Sequence, residues 1–118
     1  MNTMRRSLLI SLMLSLVIVG SGFQLIKTSL NVTVRDETGN TVAGASVQLF
    51  EKEEDYKAET NIVAEGITDD KGFLKLRELK PVSYFVIVRK GDKDNSDGGE
   101  RTAKLEEKRM NKVTIIIQ

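Results

Sequence analysis

The residues with the clearest chemical potential lie between Gly91 and Glu100, where the sequence reads GDKDNSDGGE. Calcium takes about six to eight oxygen ligands, often from alternating positions of one loop. The carboxylates that this loop offers are Asp92, Asp94, Asp97 and Glu100. The loop is not an EF-hand, because Asp97 stands where that motif needs glycine and Ala103 where it needs glutamate. The same composition is typical of a plain polar connection, so both interpretations stay open.

The 118-residue sequence contains no histidine and no cysteine. Thiolate nucleophiles, disulfides and cysteine metal sites are therefore excluded, and the usual proton carrier near neutral pH is missing. Asp69 and Asp70 are adjacent carboxylates, but their sequence context, a turn ending in Gly72, favours a solvated turn over an acid–base pair. The sequence predicts a protein that is not an enzyme and needs no cofactor, with calcium as the one cation left open.

The first 22 residues have the pattern of a secretory signal peptide. Arg5 and Arg6 precede an apolar run from Leu8 to Val19, and the small residues of Gly20–Gly22 follow it. We predict cleavage after the first or the last of these three, with residues 23–29 as a short linker. The alternative is an uncleaved anchor over residues 8–26, whose 19 residues are near the minimum for a membrane span.

In either case we expect residues 30–118 to be exported, to the periplasm, the cell surface or the medium. The membrane would then be reached only through an uncleaved N-terminal segment. The formal net charge of +1 gives no reason to expect nucleic acid as a partner.

From residue 30 onward the apolar residues mostly recur with the period of two that is typical of strands. The run LNVTVR alternates strictly, which places Leu30, Val32 and Val34 on a core face. The other predicted strands lie within residues 42–49, 62–68, 74–79, 84–88, 102–105 and 113–117. The charged stretch Glu51–Thr60 has no apolar period and is predicted to be a solvated excursion with room for one helical turn, and an acidic docking surface is the alternative. About seven short strands separated by turns indicate a β-sandwich.

Two motifs in the sequence resemble those of a known domain family. VRDETGNTVAGASVQL (residues 34–49) resembles the opening of carboxypeptidase regulatory-like domains, and TDDKGFLKLRELKPVSYFVIV (residues 68–88) resembles their second motif. Leu74 and Leu76 stand in for the usual aromatic pair, and Val82 replaces the glycine after the proline. The resemblance implies an all-β, seven-stranded Greek-key sandwich of the transthyretin or immunoglobulin-like kind over residues 30–118.

In that family such domains accompany larger proteins, which implies a non-catalytic role in structure or protein binding. We expect a partner protein of the bacterial envelope that is reached in trans, with strand addition to an exposed sheet edge as one route. The alternative is a protein that binds a small ligand, a carbohydrate or calcium through the loop of residues 91–100. The identity of the partner and the oligomeric state are not predicted by any of these patterns.

Overall fold

The computed structural model describes residues 27–96 and 101–118. The predicted signal peptide or anchor, and most of the predicted linker, lie outside the described residues. Within the described ranges, no helix has the length and apolar character that a membrane crossing requires. The strands are β1 (Ser29–Asp36), β2 (Ser46–Phe50), β3 (Ala64–Ile67), β4 (Phe73–Leu76), β5 (Phe85–Lys90), β6 (Lys93–Asp94) and β7 (Met110–Ile117), and a short helix α1 spans Glu53–Ala58.

The strands form two sheets, one of three strands in the order β4-β1-β7 and one of four in the order β3-β2-β5-β6. All neighbouring strands are antiparallel except β1 and β7, which run parallel over eight residue pairs. Four of the six connections cross from one sheet to the other, since only β2–β3 and β5–β6 stay within a sheet. The prediction of an all-β sandwich is confirmed.

The hydrophobic core lies between the two sheets, because the alternating apolar residues of each strand point to the same side. Leu30, Val32 and Val34 of β1 face inward and meet the inward residues of β2 and β5. The largest fully buried side chains of this core are those of Leu30, Val32, Val34, Val47, Leu49, Val86, Val88, Ile115 and Ile117. Full burial of one such side chain contributes about 1.5–3 kcal/mol, so aliphatic packing supplies the main stabilisation in a chain without disulfides.

Gly72 shows why the turn before β4 needs glycine. Its φ is +81°, in the left-handed region that side chains rarely adopt. A Cβ at this position would lie 2.8 Å from the Cβ of Thr41 and 3.0 Å from the backbone nitrogen of Val42. The Gly72 carbonyl also accepts a hydrogen bond from the Val34 N–H at 3.0 Å. The turn therefore packs directly against the end of β1 and the segment before β2.

The charged stretch Glu51–Thr60 is solvated as predicted, since none of its residues is buried, but it also packs on the sheet through one side chain. It contains α1, which lies against the outer face of the four-stranded sheet. The ring of Tyr56 stacks on Phe85 at 5.3 Å between centroids and meets Phe50 edge-on at 6.1 Å. Phe50 is fully buried although its parity points it away from the core between the sheets. One aromatic among charged residues gave no periodic signal, yet it provides the contact.

The prediction of a strand at residues 102–105 is wrong, and the seventh strand is instead the short β6. Residues 102 and 105 each donate one backbone bond toward the start of β5, from Thr102 N to Tyr84 O and from Leu105 N to Val82 O. The Thr102 hydroxyl accepts from the Tyr84 N–H at 2.9 Å and donates to the Ala103 carbonyl at 2.8 Å. These side-chain bonds replace a regular ladder, because a threonine hydroxyl competes for backbone groups.

Candidate functional site

The structure describes two of the four predicted cation ligands. Asp92 is an exposed turn residue, and Asp94 ends the two-residue strand β6. The Asp94 carboxylate accepts bonds from the Ser96 hydroxyl at 2.6 Å and the Ser96 N–H at 3.0 Å. These bonds from Ser96 hold the pKa of Asp94 below its ordinary value. Asp97 and Glu100 lie outside the described residues.

The Asp94 side chain therefore stabilises a local turn, and the side chain of the neighbouring Asn95 bonds to the backbone of β5. The Asn95 side chain accepts from the Val88 N–H at 3.0 Å and donates to the Val86 carbonyl at 2.9 Å. Across residues 27–96 and 101–118, no three acidic side chains are grouped closely enough to hold a metal ion. A calcium site that also uses Asp97 and Glu100 stays a prediction.

The aspartates of the two sequence motifs stabilise turns. The Asp36 carboxylate accepts from the Thr38 hydroxyl at 2.6 Å and from the N–H groups of Thr38 and Asn40 at 3.0 Å. The Asp69 carboxylate accepts from the N–H groups of Lys71 at 2.9 Å and Phe73 at 3.0 Å. These bonds lower the pKa of both aspartates, with the Thr38 hydroxyl as the main cause at Asp36 and the Phe73 N–H at Asp69.

Two other motif residues, Thr68 and Tyr84, fix the chain at junctions between strands. The Thr68 hydroxyl donates to the Val42 carbonyl at 2.7 Å and accepts from the Ala45 N–H at 2.9 Å. The Tyr84 hydroxyl accepts from the Lys80 N–H at 2.9 Å, and burial raises the pKa of this tyrosine. The polar side chains that define the motifs thus stabilise the local backbone geometry of the turns and strand junctions.

A long edge strand is one surface that is open to a partner. Among the described residues, β7 pairs along its length only with β1, and its other edge bonds to β6 just beyond the strand, between Gln118 and Asp94. The strand sequence MNKVTIII carries a single charge, that of Lys112. Ile116 is 43% exposed on this strand. An unpaired strand edge with few charges is a template for pairing with another chain.

A second open surface is the outer face of the three-stranded sheet. Register places Lys75 of β4 and Lys112 of β7 on either side of Asn31 of β1. The next row along the strands is Phe73, Thr33 and Thr114. These rows line an open cleft of about 470 Å³.

Sequence reasoning missed this cleft. Alternation within each strand places its residues outward. Only the pairing of β1 with both β4 and β7 brings them into rows.

Comparisons with known proteins agree with the fold and leave the family open. The structure is similar to that of the pilus 2b backbone protein of group B streptococcus, with a TM-score of 0.57 and 13% identity over 77% of this chain. It also matches chlorocatechol 1,2-dioxygenase from Pseudomonas putida at a TM-score of 0.45 and 16% identity over 78% of this chain. The chain spans 40% and 61% of the length of these two proteins.

No protein-family model and no curated protein sequence matches the chain. The resemblance to carboxypeptidase regulatory-like domains therefore stays a prediction from its two motifs. At 13% identity the likeness to the pilus protein supports a β-sandwich and nothing about activity.

Proposed function

We propose that the chain is a non-catalytic β-sandwich module of the carboxypeptidase regulatory-like kind, exported to the bacterial envelope, where it binds a partner protein. The observation that carries the proposal is the eight-residue edge strand β7 with its single charge. A partner strand can add its backbone N–H and C=O groups to this edge, which gives affinity, while side-chain pockets give selectivity. The signal pattern of residues 1–22 supports export.

Two features support a role without catalysis. The sequence holds no histidine or cysteine, and the aspartates of both motifs accept hydrogen bonds from their own turns. These hydrogen bonds hold both carboxylates in their turns and lower their pKa, which makes them weaker bases than an ordinary aspartate. The structural neighbour from a pilus backbone is consistent with a structural envelope protein, and it supports only the fold directly.

The edge assignment is tested by site-specific photocrosslinking in intact cells that produce the chain. A photoreactive residue at Thr114 of β7 is expected to give one adduct with an envelope protein, and the same residue at Lys57 of α1 is expected to give none. Mass spectrometry identifies the partner and also reads the N-terminus, which we expect near Phe23. Equal adducts at both positions, or none at Thr114, would contradict binding through β7.

A pair of matched variants separates β7 from the edge strand of the other sheet. Ile116→Lys places a charge on β7, and Ile67→Lys places one on β3, where the native side chain is 66% exposed. Lysine on an edge strand disfavours strand addition. We expect Ile116→Lys to abolish the adduct and Ile67→Lys to leave it. The reverse pattern would move the binding edge to β3.

A further inference from the structure

The outer face of the three-stranded sheet carries charges of one sign. The outward positions of β1, β4 and β7 are the odd-numbered residues of β1 and β4 and the even-numbered residues of β7. The charged residues among them are Arg35, Lys75 and Lys112, and all three are basic. Within the described ranges neither lysine has an ion-pair partner, and the Lys75 ammonium donates a hydrogen bond to the Met110 sulfur at 3.4 Å.

Between these two lysines lies an acceptor with no partner. The side-chain oxygen of Asn31 is shielded from solvent and receives no hydrogen bond, and it is the one such side-chain atom in the described part of the chain. Lys75 and Lys112 are its direct neighbours in register on either side. Neighbouring strands lie about 4.7–4.9 Å apart, and a lysine side chain is long enough to span that distance. A single ligand group above Asn31 can therefore reach both ammonium groups.

The adjoining row offers a different chemistry. Phe73 is 46% exposed, and it lies in register with the hydroxyl-bearing Thr33 and Thr114. The Asp69 carboxylate, which two backbone N–H groups hold in place, lines the end of the cleft beyond Phe73. The cleft therefore runs from a cationic end, across an aromatic ring and two hydroxyl groups, to one anionic acceptor.

This arrangement disfavours a peptide strand as the occupant. The backbone of β1 at the floor of the cleft is already paired with β4 on one side and β7 on the other. Strand addition needs unpaired backbone groups, and here the surface presents only side chains. The chemistry that fits is a ligand with acidic groups for the lysines, hydroxyl groups for Thr33 and Thr114, and an apolar ring face for Phe73.

We propose that this cleft binds an acidic oligosaccharide. A uronate carboxylate lies over the pair Lys75 and Lys112, and sugar hydroxyls bond to the side chains of Thr33 and Thr114. The next sugar ring stacks on Phe73, and its hydroxyls point toward Asp69. This site is separate from the loop of residues 91–100, and it uses side chains of β7 rather than the backbone groups of its edge, so it can be tested on the purified chain without the proposed envelope partner.

The test is a titration of the full chain, recovered from producing cells and labelled with ¹⁵N, with tetragalacturonate. We expect shifts in the Asn31 side-chain amide and in the backbone amides of Thr33 and Lys112, with binding that weakens as salt increases. Lys112→Gln should weaken binding roughly tenfold, because a charge-assisted bond is lost. The matched control Lys57→Gln on α1 should leave the affinity unchanged. Melting temperatures of both variants establish that they are folded.

Two competing ligands define the results that would overturn the assignment. Maltotetraose, which is neutral, should not bind measurably, and equal binding would remove the role of the lysines. Tetraglutamate should bind much more weakly than tetragalacturonate, and equal affinity would mean that the surface selects charge alone. Phe73→Ala should weaken the uronate ligand, and an unchanged affinity would remove the stacking contact. Shifts confined to other surfaces would place the ligand elsewhere.

Discussion

The two outer faces of the sandwich differ in what covers them. On the four-stranded sheet, the six-residue helix α1 lies over Phe50 and Phe85, and Tyr56 contacts both rings. On the three-stranded sheet, Phe73 and Ile116 remain 46% and 43% exposed. The strand patterns are alike, since outward apolar residues occur on both sheets. One short insertion between β2 and β3 therefore covers the part of the four-stranded sheet that holds Phe50 and Phe85, while Ile67 of β3 on the same face stays 66% exposed.

The largest expected effect compares one phenylalanine from each face. Phe50→Ala removes a fully buried ring under α1, and we expect the free energy of unfolding to fall by about 3–5 kcal/mol. Phe73→Ala removes a half-exposed ring from the open face and should cost less than about 1 kcal/mol. Urea denaturation of both variants measures the difference. Similar losses would mean that the open face is covered in solution.

Two asparagines sharpen the comparison further. Asn95→Ala removes the bonds to Val88 N and Val86 O and leaves buried backbone groups without partners, so we expect a loss of about 2 kcal/mol. Asn31→Thr removes a shielded oxygen that has no partner and adds a residue that favours strands. This variant should be as stable as the native chain or up to about 1 kcal/mol more stable. Thermal or urea unfolding tests both, and a loss at Asn31 would reveal a partner for its oxygen.

The turns at one end of the sandwich should respond to acid, in contrast to the aliphatic core. The pKa values of Asp36, Asp69 and Asp94 are lowered in the folded chain by hydrogen bonds from neighbouring groups. The folded state therefore binds fewer protons than the unfolded state as the pH falls through the unfolded value of about 3.9. Their contribution is complete well above that pH and is lost progressively below it.

We therefore expect the contribution of these groups to the measured free energy of unfolding to be constant as the pH is lowered from about 7, and to decline as the pH approaches about 2.5. Asp69→Asn keeps one acceptor oxygen but cannot ionise, so its decline should be shallower than that of the native chain. Identical slopes for the two proteins would show that the bonds to the Lys71 and Phe73 N–H groups do not depend on the charge of Asp69.

The smallest expected effect concerns the loop of residues 91–100. If Asp92, Asp94, Asp97 and Glu100 bind calcium, a chelator will lower the melting temperature, and Asp94→Ala will abolish that difference. Asp70→Ala, at an exposed turn position outside the loop, is the control and should retain the response to the chelator. A melting temperature that is the same with calcium and with chelator would remove the calcium hypothesis.

Much of the fold was predictable because it rests on local physics. The strict alternation of residues 30–35 predicted the inward face of β1, and the glycine in each motif turn predicted the break before the next strand. The helix α1 was not predictable as a cover, because its contact depends on the single residue Tyr56. The strand β6 was missed for a similar reason, since two residues carry no periodic signal.

The candidate binding surfaces also depend partly on local sequence and partly on tertiary structure. The sequence by itself determined a β-sandwich without histidine or cysteine, behind a signal-like segment, because composition and periodicity are properties of single strands. Only the tertiary structure decided that Lys75, Asn31 and Lys112 form one row and that β7 lies at an edge. Strand order and register arise from pairing between residues up to about eighty positions apart, and no local pattern in the chain specifies which strands become neighbours.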